Sequence, residues 1–117
     1  MIVVVGMPGE DPVRHLLDAA RGLGITTLLL PESEAASWNL RVDCAAGQVR
    51  GWLDRPAGAV DLDAATGVYL RLTSPGQRPQ ADPLRQQRQD AALALICSWA
   101  EVTRARVANR PSAMAGN

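Results

Sequence analysis

The chain has 117 residues, a length that suits one domain, and 47% of them are apolar, enough to build a real core. With no Phe and few other aromatics, that core must come from Leu, Val, Ile and Ala. Twelve basic residues balance twelve acidic ones, which leaves no electrostatic footprint for nucleic acid or an anionic membrane. All the basic residues are arginine. The absence of lysine excludes Schiff-base chemistry and a Walker-type phosphate ligand.

The run Ile2-Val3-Val4-Val5 before Gly6 is continuous and β-branched, the pattern of a strand buried on both faces of a parallel sheet. Glu10-Asp11-Pro12 places acidic residues and a proline at a helix start. Val13, Leu16, Leu17, Ala20 and Leu23 then recur at helical spacing, and Gly22 and Gly24 supply the stop. A second strand is expected over residues 25–30, closed by Pro31. Together these form a βαβ unit with a right-handed crossover. Residues 38–44 and 48–53 alternate moderately around Ala45-Ala46-Gly47, which predicts an antiparallel hairpin.

After the turn Arg55-Pro56-Ala57-Gly58, a third buried strand is expected at Val68-Tyr69-Leu70-Arg71-Leu72. Residues 73–83 read as a mobile loop. A long helix follows over residues 84–103, with Leu84, Arg88, Ala92, Leu95, Trp99 and Val102 on its core-facing stripe and Arg85, Gln86, Gln89 and Asp90 turned away. Arg106-Val107-Ala108 is a short last strand. The fold class is therefore α/β, with a small, mostly parallel sheet, two main helices and an antiparallel hairpin. Residues 1–108 are expected to form the domain and 109–117 the start of a linker, of which 112–117 are loosely held.

Open α/β sheets bind ligands outside the carboxyl ends of their strands. Gly6 and Met7, Arg71, and Asn109 with Arg110 leave such ends, so these five are the candidate substrate-binding residues. Two guanidiniums beside a glycine turn at a helix N-terminus favour a carboxylate or phosphate; the alternative is that both arginines serve as structural clamps. Gly6-Met7-Pro8-Gly9 is not a dinucleotide fingerprint, because GxGxxG is missing and Pro8 lacks an N–H.

No catalytic or metal-ligating set is expected. His15 stands alone, and no serine fits a nucleophile elbow. The pairs Glu32/Glu34 and Asp61/Asp63 read as solvated turns. Either Trp38 or Trp52 could be half exposed against a partner. Cys44 and Cys97, without a CxxC, read as reduced, partly buried thiols of a cytoplasmic protein. No signal peptide or membrane span is apparent.

The last third carries a more specific pattern. Val68-Tyr69-Leu70-Arg71, a helix bearing Trp99, and then Val107-Ala108-Asn109-Arg110-Pro111-Ser112-Ala113-Met114 with Asn117 resemble the opening of ATP-grasp ligases. The likeness is strongest to microviridin-type peptide ligases and ribosomal-protein glutamate ligases. Glu10-Asp11-Pro12 and Gly51-Trp52-Leu53-Asp54 also fit.

That resemblance implies the amino-terminal, Rossmann-like "pre-ATP-grasp" domain of such a ligase. The complete enzyme would join a carboxylate to an amine through an acyl phosphate, using ATP and magnesium as cofactors. The chain stops before the family's ATP-binding lysine, so it is expected to hold no cofactor and to be non-catalytic alone. Its expected partners are the ATP-grasp central and carboxyl-terminal domains and a peptide or amino-acid substrate. A homodimer through the long helix is a further expectation. The alternative is a free-standing α/β interaction module without ligase activity.

Overall fold

A computed structural model describes residues 1–73 and 82–109. Their order is β1 (Ile2–Gly6), α1 (Asp11–Gly22), β2 (Thr27–Pro31), a short 3-10 helix (Glu32–Ser37), β3 (Asn39–Ala45), β4 (Gln48–Asp54), β5 (Val60–Asp61), a 3-10 turn (Leu62–Ala64), β6 (Gly67–Arg71), α2 (Pro83–Val102) and β7 (Arg106–Ala108). The mobile loop expected over residues 73–83 falls largely outside the described residues, as do Arg110 and the segment 111–117.

Four strands form a parallel sheet in the order β2-β1-β6-β7, and β3-β4-β5 form a separate antiparallel sheet. The continuous apolar runs of β1 and β6 have their physical reason in this arrangement. Both strands are interior, and side chains alternate between two covered faces. Val3, Val5, Val68 and Leu70 join the main core with Leu30, Leu53, Leu62, Ile96 and Trp99. Val4 points to the opposite face. It is fully buried, as are Val13 and nearly all of Ala20 on α1. Pro31 is tolerated inside β2 because β2 is an edge strand and no ladder bond is lost.

The expected hairpin is present. It turns through Ala46 and Gly47, both with positive φ (53° and 75°), the primed turn that matches strand twist. At its centre Gly51 is a requirement of packing. A Cβ there would lie 3.0 Å from both Cδ1 and Nε1 of Trp99.

Several expectations need correction. β2 begins at Thr27, leaving Ile25 exposed, and Leu23 lies past the end of α1 and is also exposed. Trp99 is fully buried and Ala92 packs against the core as expected, but the other members of the expected α2 stripe do not. Leu93, Ile96, Trp99 and Ala100 are buried, with Gln86 and Gln89 half-buried in line with them, whereas Leu84, Leu95 and Val102 face solvent. Apolar residues surround this helix, so spacing alone admitted more than one core-facing stripe.

Neither Cys44 nor Cys97 is in a disulfide, and Cys44 is exposed rather than partly buried. No helix among the described residues is long and apolar enough to cross a membrane.

Candidate functional site

The connections leave β1 in two directions: α1 leads to β2 on one side, while β6 pairs on the other. Strand order therefore reverses at β1, and the crevice beyond the carboxyl ends of β1 and β6 is the expected place for a ligand. Gly6 and Arg71, expected to converge from the sequence, are direct register partners at that edge. Their approach is close. A Cβ on Gly6 would lie 3.0 Å from the Arg71 carbonyl oxygen and 3.1 Å from Val13 Cγ2, so only glycine lets β1, β6 and the start of α1 meet there.

Met7 is half-buried in the turn beyond Gly6, and its carbonyl accepts a hydrogen bond from the Glu10 amide. Asn109 is exposed one residue beyond the Tyr69–Ala108 register pair, in a left-handed conformation (φ 60°) that asparagine tolerates. Gly6, Met7, Arg71 and Asn109 thus occupy one sheet edge; Arg110 lies outside the described residues.

The Arg71 side chain is half exposed and donates from Nε to Glu10 Oε2 at 3.4 Å. Glu10 is the N-cap residue of α1, but its carboxylate makes no capping bond and turns to Arg71 instead. An ion pair this open contributes no more than about 1 kcal/mol, so it orients the guanidinium without consuming it. Arg71 keeps donors to offer a carboxylate or phosphate.

Sequence reasoning missed the second acidic residue of this edge. Glu32, expected in a solvated turn, is 1% exposed and is the one charged side chain buried among the described residues. It follows β2 and reaches Thr73, which follows β6, across the carboxyl end of β1 between them. The Thr73 amide donates to Oε1 and Oε2 at 3.0 and 3.1 Å, and the Thr73 hydroxyl donates to Oε2 at 2.8 Å. The carboxylate therefore ties the exit of β6 beside Arg71. Its position directly after Pro31, at a strand's carboxyl end, was the available signal.

Asp63 is likewise structural: its carboxylate accepts from the Gly51 amide at 3.3 Å and lies 3.5 Å from Arg50, while Asp61 caps Asp63. His15 is exposed on α1. Trp38 is buried, and Trp52 is the half-exposed tryptophan, with Arg41 and Arg50 4.4 and 5.3 Å from its ring centroid. No group of three His, Cys, Asp or Glu among the described residues could hold a metal ion, and the sequence has no lysine.

An α/β domain with a mainly parallel sheet and an open carboxyl edge is the class these observations define. No protein-family model and no curated protein matches the chain. Solved structures do. The ATP-grasp ligase PsnB complexed with a minimal precursor aligns at TM-score 0.69 and 21% identity, over 98% of this chain and 38% of that one.

The macrocyclase MdnC from Microcystis aeruginosa MRC, bound with precursor peptide MdnA, aligns at 0.63 and 12%, over 93% and 35%. A Chryseobacterium gregarium RiPP-associated ATP-grasp ligase, in complex with ADP and a leader and core peptide, aligns at 0.63 and 12%, over 95% and 35%. The chain has a fold found within RiPP-associated ATP-grasp ligases, and it spans 35–38% of the length of these three.

Proposed function

We propose that the chain is the substrate-side domain of an ATP-dependent carboxylate–amine ligase acting on peptides, and that it is not catalytic by itself. The observation that carries this reading is the pairing of Gly6 with Arg71 at the switch point of a sheet whose structural neighbours are peptide-modifying ligases. On this reading residues 1–108 are the domain and 109–117 lead out of it. ATP and magnesium are bound by the central and carboxyl-terminal domains of a complete cytoplasmic enzyme, in which they supply acyl-phosphate chemistry.

This chain's own residues bind and orient. Arg71, held by Glu10 and by the Glu32–Thr73 tie, offers its guanidinium to a carboxylate of the peptide or amino-acid substrate. Gly6 and Met7 keep the floor of the crevice low, and Asn109 flanks it. Glu10, carrying the opposite charge, limits how tightly an anion is held, which suits a substrate that must leave.

The test has two arms. Titration of ATP and magnesium into the chain alone is expected to give no saturable heat at millimolar concentration; micromolar binding would falsify the assignment of nucleotide to other domains. In a complete ligase, Arg71→Ala is expected to weaken use of the carboxylate-bearing substrate by about 1.5–3 kcal/mol, the worth of a hydrogen bond to a charged group, with ATP binding unchanged. Equal losses for both ligands would reduce the domain to a scaffold.

A further inference from the structure

The hairpin and the parallel sheet leave a cavity of about 470 Å³ between them. That is within the size range of ordinary ligand sites, roughly 300–1,000 Å³. Gln48 and Arg50 wall it from β4, Asp63 from the turn before β6, and Thr103, Arg104 and Ala105 from the connection between α2 and β7. Because β6 and β7 run parallel, this is the amino-end side of their sheet, and the edge carrying Gly6 and Arg71 is the opposite one.

The chemistry of the lining is one-sided. Asp63 is its one carboxylate, and both oxygens are engaged: Oδ1 accepts from the Gly51 amide at 3.3 Å, and Oδ2 lies 3.5 Å from Arg50 Nε. That contact takes the inner nitrogen of Arg50 and leaves the two outer ones free to donate. The same guanidinium is steadied by the Trp52 ring, whose centroid is 5.3 Å away. Arg104 is exposed and has no side-chain partner among the described residues. Thr103 Oγ accepts from the Ala105 amide at 3.3 Å, so its own proton remains to be donated. Gln48 adds an exposed side-chain amide. The carbonyl end of α2 brings partial negative charge nearby, and Arg104, two residues past it, offsets that.

The cavity therefore presents two guanidiniums, a hydroxyl and an amide, against one carboxylate already satisfied. One cation comes from the hairpin and the other leads into the parallel sheet, around a space larger than a single phosphate or carboxylate group fills. We propose that this cavity binds a small polyanion, a molecule bearing two or more phosphate or carboxylate groups, with one group on Arg50 and another on Arg104. Bound there, the ligand ties the two sheets together and stabilises the folded chain by mass action. The magnesium complex of ATP is not such a ligand, because the metal already coordinates the phosphate oxygens that the arginines would take.

The proposal does not depend on the substrate reading, since none of these residues belongs to the Gly6–Arg71 edge. Calorimetric titration of the full chain with pyrophosphate without magnesium, and separately with citrate, tests it. At least one probe is expected to bind saturably, to weaken as salt is raised and to raise the melting midpoint. Binding of pyrophosphate alone assigns the cavity to phosphate-bearing ligands, and binding of citrate alone to polycarboxylates. Arg104→Ala, which breaks no side-chain contact among the described residues, and Arg50→Ala are each expected to weaken binding by about tenfold or more, the worth of hydrogen bonds to a charged group, with the circular dichroism spectrum unchanged. Arg21→Ala removes the same charge from an exposed position on α1 and is expected to leave the affinity as it is.

A chain that binds neither probe saturably at millimolar concentration overturns the proposal. Binding that survives Arg50→Ala and Arg104→Ala undiminished overturns it by placing the anion elsewhere, as does binding lost with Arg71→Ala. Equal weakening by Arg21→Ala overturns it as well, because the attraction would then be to overall charge and not to the cavity.

Discussion

The two sides of α2 both carry large apolar residues and have opposite fates. One side presents Leu93, Ile96, Trp99 and Ala100 to the sheets and is sealed, while the other presents Leu84, Ala91, Leu95 and Val102, interleaved with Arg88 and Ser98, to solvent. Beyond the two polar residues, the sides differ in what each meets. Trp99 has a counterpart shaped for it, since Gly51 on β4 removes the one side-chain atom that would collide with its indole ring. Leu95 meets only the rim of an open groove. The carboxyl edge of the parallel sheet repeats the contrast with charges: Glu32 is enclosed and bonded to Thr73, and Glu10 stands half in solvent against Arg71.

The contrast can be broken most sharply at Trp99. Trp99→Ala is expected to destabilise the chain by about 3–5 kcal/mol in a denaturant melt, as for other buried large aromatics. A loss below about 1 kcal/mol would mean that the indole is not enclosed.

At the sheet edge, Glu32→Ala leaves the Thr73 amide without its carboxylate partner and should cost about 1–3 kcal/mol, the desolvation penalty of an orphaned group. The same melt with Glu10→Ala should move by less than about 1 kcal/mol, because its ion pair is open to water. Equal effects at the two glutamates would erase the distinction between the acid that builds the edge and the acid that faces the crevice.

Gly51→Ala tests the counterpart of Trp99. The added methyl must displace an indole with no room to retreat, an overpacking cost of about 1–3 kcal/mol, and near-ultraviolet circular dichroism should report the shifted tryptophan. The smallest effect is expected at Leu95→Ala in dilute solution, within about 0.5 kcal/mol of wild type. A larger loss in a monomeric sample would show that this side of α2 is covered by the chain's own residues.

Much of this molecule could be read directly from its residues. Ile2-Val3-Val4-Val5 and Val68-Tyr69-Leu70 announce parallel strands because a strand buried on both faces needs apolar side chains in both phases. Ala46-Gly47 between alternating segments marks the hairpin, since few residues accept the positive φ of a primed turn. The convergence of Gly6 with Arg71 was legible as well, because parallel strands bring every carboxyl end to one edge. Resemblance through the Tyr69-x-Arg71 strand and the Asn109-to-Met114 segment pointed to ATP-grasp peptide ligases, and that fold is the one the solved structures share.

What the residues alone determined is therefore the main strands and helices, the hairpin turn and the edge to which Gly6 and Arg71 converge, but not the 3-10 helix Glu32–Ser37 or the short β5. Only the tertiary structure decided which stripe of α2 is buried and what Glu32 does. Those outcomes depend on partners far away in sequence: Gly51 comes from β4 to meet Trp99, and Thr73 stands 41 residues from Glu32. Periodicity records that a helix has apolar residues to bury, and composition records that a carboxylate must be solvated or satisfied. Neither records which surface arrives to do it, because that is settled by the order β2-β1-β6-β7 and by the hairpin folded over it.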